Sequence, residues 1–170
     1  MEHIALVDPK HFRDVLGSYP TGVCVVTSRG EEGQRWGLAV GSFTSISLDP
    51  PLVGFLPDKR SRSWAQIGET GQFCVNVLAS EQLEACQRFA SRHDDKFEGI
   101  AHGTSPAGLP LLDNVLAWID CDIERVVEIG DGTKARRSSS IGVAITRWPG
   151  WRTLKTSQPE GAVSPPNRII

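Results

Sequence analysis

The stretch GSFTSISLDPPLVGF, residues 41–55, sets four hydroxyls, Ser42, Thr44, Ser45 and Ser47, within six positions before Asp49, Pro50 and Pro51 halt the chain. On an extended strand, Ser42 and Thr44 face one way and Ser45 and Ser47 the other. Cross-strand pairing uses strand hydroxyls on one wet face, so two polar faces leave hydroxyls to spare. A flat polar ring with carbonyls and ring nitrogens suits such a row. It would lie across the hydroxyls and across the main chain of the glycine-containing segment Ala39, Val40, Gly41 and Ser42.

A second concentration follows at PDKRSRSW, residues 57–64. Lys59, Arg60 and Arg62 bring cations, and Ser61 and Ser63 bring hydroxyl donors, to the point where a helix is expected to open. First-turn amides have no acceptor within a helix, and the positive end of its dipole lies among them. One phosphate group fits there. An exposed basic loop with an ordinary serine cap has the same composition, and both readings stand on this segment alone.

Other chemistries lack the residues they need. GxGxxG after a strand, a Walker-type loop, a GxSxG elbow and HExxH are all missing. His93-Asp94-Asp95, beside Arg92 and Lys96, reads as a solvated charge run and matches no zinc or iron spacing, so no metal is expected. The four cysteines, Cys24, Cys74, Cys86 and Cys121, form no CxxC pair, and three sit in apolar, strand-like runs. They read as buried thiols in a reducing compartment. Eighteen basic and twenty acidic residues give a net charge of −2, which offers nucleic acid or an anionic membrane no general attraction. No apolar run approaches the roughly 20 residues of a bilayer span. The start, MEHIALVDPK, has neither a basic n-region nor an apolar h-region, so a cytoplasmic protein is expected.

The elements that must position these groups fit one domain, since 170 residues at 39% hydrophobic bury a single core. Asp8-Pro9 before KHFRDVL marks a short amphipathic helix with Phe12, Val15 and Leu16 on one face. TGVCVVTS and WGLAV, separated by the polar RGEEGQR, predict a hairpin, and LVGFL a further strand. SRSWAQIGETG predicts a helix capped by serine and closed near Gly71. QFCVNVL reads as a strand, and SEQLEACQRFA as a helix capped by Ser80 with Glu81 in its first turn. In VLAWIDCDIE, Ala117, Ile119, Cys121 and Ile123 alternate with Trp118, Asp120, Asp122 and Glu124, predicting a strand with one buried and one wet face. Short strands without βαβ alternation argue for a mainly β, antiparallel barrel decorated by a few helices. Residues 156–170 are rich in Pro, Ser and Gly and read as a loosely packed tail behind a domain over 1–155.

Taken in order, YPTGVCVVTS, WGLAVGSFTSISLDPPLVGF, DKRSRSW, GQFCVNVL, RFASRHDDKFEGI and GLPLLDNVLAWIDCDIERV resemble the flavin reductase-like, FMN-binding split-barrel family. The likeness is greatest to the short reductase components of two-component flavin-dependent monooxygenases, and it runs from about Phe12 to Asp131. It implies an antiparallel Greek-key split β-barrel that forms a homodimer, binds FMN or FAD, and passes hydride to it from NADH or NADPH. The reduced flavin would then serve a separate monooxygenase. Carried over by position, Ala39, Val40, Gly41 and Ser42 approach the isoalloxazine edge, and Ser45 and Ser47 lie along the ring and ribityl chain. Lys59, Ser61, Arg62 and Ser63 hold the phosphate end. Asn76 and Phe97 are further cofactor-binding positions, each with a plain structural alternative as a satisfied strand amide and a packed aromatic. No catalytic side chain is expected, because the hydride moves between two cofactor rings and the protein positions them.

The chain departs from that family after the long predicted strand. The turn EIGDGTKARRSSSIGVAI has Gly132 where the family places a histidine facing the nicotinamide, and RWPGWRTL, residues 147–154, stands where an aromatic segment belongs. A rebuilt nicotinamide side and a coding-frame slip both account for this, and TKARRSSS is too polar to replace a buried strand. An FMN-binding barrel with lost or altered reductase activity is the alternative function. A pyridoxamine-phosphate-oxidase-like enzyme ranks behind it, because SFTSISL carries no Arg or Lys.

Overall fold

The computed structural model describes residues 8–58, 60–129 and 141–147. Helix α1 (Pro9–Gly17) opens where the Asp8 carboxylate accepts from the Lys10 amide at 3.1 Å, with proline in the first turn. Strands β1 (Cys24–Arg29) and β2 (Arg35–Val40) form the expected antiparallel hairpin. Gly33, at a φ of 88°, takes its turn through the left-handed region.

Strands β3 (Thr44–Leu48) and β4 (Pro51–Phe55) pair antiparallel across the double proline. Thr44 faces Gly54, Ser45 faces Val53 and Ser47 faces Leu52, so the register slips by one at Ile46. That bulge corrects the simple alternation expected of the hydroxyl row. Ser45 and Ser47 lie on opposite faces, because one extra residue reverses the sense of every later side chain.

Helix α2 (Arg62–Thr70) is bounded as the sequence predicts. The Ser61 hydroxyl accepts from the Trp64 amide at 3.2 Å, and Gly71 closes the other end in the left-handed conformation at φ 73°. Strand β5 (Gln72–Val77) and helix α3 (Leu83–Ala90) follow. Ser80 does not cap α3. Gln82 accepts from the Ala79 amide at 2.9 Å and donates to the Asp113 carbonyl at 2.8 Å, which holds 79–82 as a tethered turn. The Ser80 hydroxyl donates instead to the Glu81 carboxylate at 2.6 Å.

Strands β6 (His102–Thr104) and β7 (Pro110–Leu112) make a small hairpin, and β8 (Ala117–Ile129) and β9 (Ile141–Arg147) complete the set. The main sheet is antiparallel throughout, in the order β2-β1-β5-β8-β9-β4-β3. Its two edge strands, β2 and β3, are consecutive in the chain. The short link between them is hooked to the end of β4, where the Leu56 amide donates to Ser42 Oγ at 2.9 Å. This is the mainly β split barrel with decorating helices that the sequence predicts. Strand β9, from residues that follow the polar TKARRSSS stretch, joins β8 to β4 and so supplies the closing strand.

Two cores form because the sheet is covered on both sides. Val26, Val40, Phe55, Phe73, Val75 and Cys121 pack with Trp64 and Ile67 of α2 on one face. Val25, Cys74 and Trp118 pack with Phe89 of α3, Phe97, Leu109 and Leu112 on the other. The wet face expected for β8 is therefore covered at its start, where Trp118 is buried beneath the segment that carries the β6–β7 hairpin. Roughly 1.5–3 kcal/mol per fully buried large apolar side chain makes this second layer worth covering.

Candidate functional site

Helices α2 and α3 both pack against β2, an edge strand whose outer backbone has no strand neighbour among the described residues. A groove of about 1290 Å³ runs along it, lined by residues 35–42, by the start of α2 with the loop before it, and by residues 89–94 and 96. The Val40 side chain is buried in the first core and Ala39 packs toward the second. Ala39 therefore offers the groove mainly its outward backbone N–H and C=O, while Val40, opposite Cys24, spends its own on β1. Gly41 lies against Thr21, whose Oγ1 would stand 2.9 Å from a Cβ placed there and would have to turn aside. Ser42 lines the groove while its oxygen holds the Leu56 amide.

Ser61 and Ser63 line the far end at the opening of α2. Ser61 is engaged as the helix cap, whereas the half-buried Ser63 hydroxyl has no partner among the described residues. The cations sort differently from their sequence spacing. Arg60 grips Asp58 through its Nη2 at 3.0 Å and its backbone amide at 2.8 Å. That guanidinium holds the Asp58 carboxyl below the usual carboxylate range, and the charge of Arg60 is largely committed. Arg62 stays exposed, with a loose pair to Asp94 at 3.7 Å that does little to hold it. Lys59 lies outside the described residues, as do Gly132, most of 147–154 and the tail 156–170.

Lys96 is the groove residue that spacing alone did not select. Its half-buried ammonium donates to the Gly37 carbonyl at 3.1 Å and the Phe89 carbonyl at 3.0 Å, pinning β2 to the end of α3. Burial, and then the nearby Arg62, push its pKa below the ordinary lysine value. Its one sequence signal is its place in DKF beside Phe97, where a solvated charge run hides it.

The structure thus brings Ala39, Val40, Gly41, Ser42, Ser61, Arg62 and Ser63 to one cavity. Ser45 is exposed and Ser47 half-buried on the edge strand β3, and neither lines the groove. Asn76 is fully buried, donating to the Val25 carbonyl and Thr27 Oγ1, each at 3.1 Å, and accepting from the Leu112 amide at 2.9 Å. Phe97 is 3% exposed, edge-on to Phe89 at 5.0 Å and beneath the Arg35 guanidinium at 5.0 Å. Both sit in the packed layers that carry the groove. Cys24, Cys74 and Cys121 are buried free thiols and Cys86 is half-buried. Among the described residues no three His, Cys, Asp or Glu side chains gather as a metal site, and no helix is long and apolar enough to cross a membrane.

Chemically, the groove offers a neutral backbone edge at one end and helix-terminal donors with an exposed, loosely paired cation at the other. Its volume exceeds the roughly 300–1,000 Å³ of ordinary small-molecule sites, so two nucleotide rings can share it. A planar ring with a phosphate tail fits this polarity.

Comparison with known proteins gives the same direction. Residues 16–134 match the model of the flavin reductase like domain. A flavin reductase of Pseudomonas putida is 56% identical over 125 residues, 74% of each chain. The reductase subunit HsaB of a flavin-dependent monooxygenase from Rhodococcus jostii is 52% identical over 125 residues, which make up 74% of this chain and 64% of that protein. Among solved structures, the Streptomyces globisporus NADH:FAD oxidoreductase SgcE6, in complex with NAD and FAD fragments, superposes with a TM-score of 0.73 at 32% identity. That match covers 85% of this chain and 84% of the other.

Proposed function

This chain belongs to the flavin reductase like domain family, and on that premise we propose that it is an NAD(P)H-dependent flavin reductase supplying reduced FMN or FAD to a partner monooxygenase. The observation that carries the reading is the single groove joining the β2 edge at 39–42 to the opening of α2 at 61–63. Flavin and nicotinamide, when bound, supply the hydride chemistry themselves. The chain's residues orient and hold. Ser63, Arg62 and the first-turn amides of α2 take the phosphate, and the exposed edge of β2 meets the polar rim of the ring. Lys96 keeps β2 and α3 at a fixed separation, so the groove does not collapse when empty.

The relatives' names support this assignment. One is a reductase subunit of a two-component monooxygenase, and another an NADH:FAD oxidoreductase. We further read residues 1–155 as one split-barrel domain with 156–170 behind it, the functional unit as a homodimer, and the compartment as cytoplasmic. Steady-state oxidation of NADH and NADPH by the purified protein, with FMN or FAD added, tests the function. Flavin-dependent acceleration is expected, and flavin binding without turnover would leave only a carrier.

A further inference from the structure

We propose that the protein carries a second anion site, beside the groove, where the β1–β2 and β6–β7 hairpins face each other, and that it takes a phosphate group. A cavity of about 330 Å³ opens there, lined by Arg29, Arg35, His102 and Thr104 with glycine backbone around them. The inference does not rest on the reductase reading, and its cavity meets the groove at Arg35, which lines both.

Arg29 and Arg35 lie directly opposite each other in the β1–β2 register, so both guanidinium groups leave the same face of the sheet. Like charges placed opposite across a strand pair destabilise it. Nothing among the described residues neutralises Arg29, and Arg35 has only a distant exposed carboxylate, Asp95, at 3.9 Å. Glu32 in the hairpin turn is held by Gln34 at 2.7 Å. Two cations retained face to face are accounted for if a dianion bridges them.

The cavity is also set up to receive one. His102 Nδ1 stands 2.7 Å from the Ile100 carbonyl, which can only accept, so Nδ1 carries the hydrogen. Nε2 then accepts from Arg35 Nη1 at 2.7 Å. This contact holds one edge of the Arg35 guanidinium, which also lies over the Phe97 ring at 5.0 Å. A guanidinium so held, with spare N–H groups, matches phosphate geometry. Thr104, two residues from His102 on the same face of β6, lines the cavity with a hydroxyl that has no partner among the described residues. The volume admits a phosphate with a few waters, or the phosphate of a nucleotide whose base stays outside.

The test is isothermal titration of the FMN-saturated protein with inorganic phosphate and, separately, with AMP, at fixed ionic strength in chloride. One saturable site per chain is expected. Arg29→Gln should weaken it at least tenfold and Thr104→Val by a few fold, while Ser63→Ala in the groove leaves it unchanged. AMP binding at least tenfold tighter than phosphate would assign the site to a nucleotide, and equal affinities to free phosphate. Phosphate that displaces FMN, or equal binding by wild type and both cavity variants, would overturn the proposal. Flavin affinity is read in the same samples, so failure here leaves the reductase assignment untouched.

Discussion

Ser61 and Ser63 stand two residues apart at the opening of α2, yet only one of them holds the helix. Replacing Ser63 with alanine removes a half-buried hydroxyl that lines the groove and has no partner among the described residues. If it donates to a phosphate oxygen, the lost bond involves a charged acceptor and is worth about 1.5–3 kcal/mol. At about 1.4 kcal/mol per decade, FMN should bind roughly 10- to 150-fold more weakly. Stability should not change. Ser61→Ala should weaken FMN as well, but it also removes the cap on the Trp64 amide, costing about 1 kcal/mol. In a domain of this size that lowers Tm by roughly 2–4 °C. Ser61→Gly should restore most of the Tm without restoring affinity. Flavin fluorescence titration and calorimetry on the three variants read the two effects separately. An unchanged FMN affinity in Ser63→Ala would refute the assignment of the α2 opening to the phosphate.

Asn76→Ala strands the Leu112 amide in a dry layer, so it should cost about 1–3 kcal/mol. Urea unfolding should show that loss, with flavin affinity unchanged in whatever folds. Gly37→Ala places a Cβ 2.4 Å from Phe89 Cε1, and overpacking this fully buried ring should cost about 1–3 kcal/mol, measured as a lower urea midpoint. Burial raises the Cys24 thiol to about 11, so the folded state holds that proton to higher pH than the unfolded state does. Its contribution to stability is full below the ordinary thiol value near 9.0 and is lost as pH rises from there through about 11. Urea midpoints across that window should fall less steeply in Cys24→Ala. At about pH 8, a thiol reagent should modify the half-buried Cys86 in the native protein well before the three buried thiols.

What could be read from residues alone followed the strength of the local signals. Both ends of α2 were legible, because a serine cap and a left-handed glycine are short-range devices written in adjacent residues. Helix α3 was misplaced at its start because its boundary depends on Gln82 reaching Asp113, a partner 31 residues away. The hydroxyl row was legible as composition but not as geometry. The bulge at Ile46 separates Ser45 from Ser47, and no periodicity announces a bulge. Arg60 looked available and is tied to Asp58, whereas Lys96 looked solvated and is pinned between two carbonyls. Charge runs hide such differences because partner choice is tertiary. The groove itself was half legible: its two ends were named, but the contribution of residues 89–96 follows only from α3 packing beside β2.

A crystal structure of the protein grown with FMN measures the central claim most directly. The account expects the isoalloxazine along the backbone of 39–42 and the phosphate within hydrogen-bond distance of Ser63 and the first-turn amides of α2. Flavin seated away from the β2 edge, or a phosphate bound elsewhere while the opening of α2 stays in solvent, would contradict it.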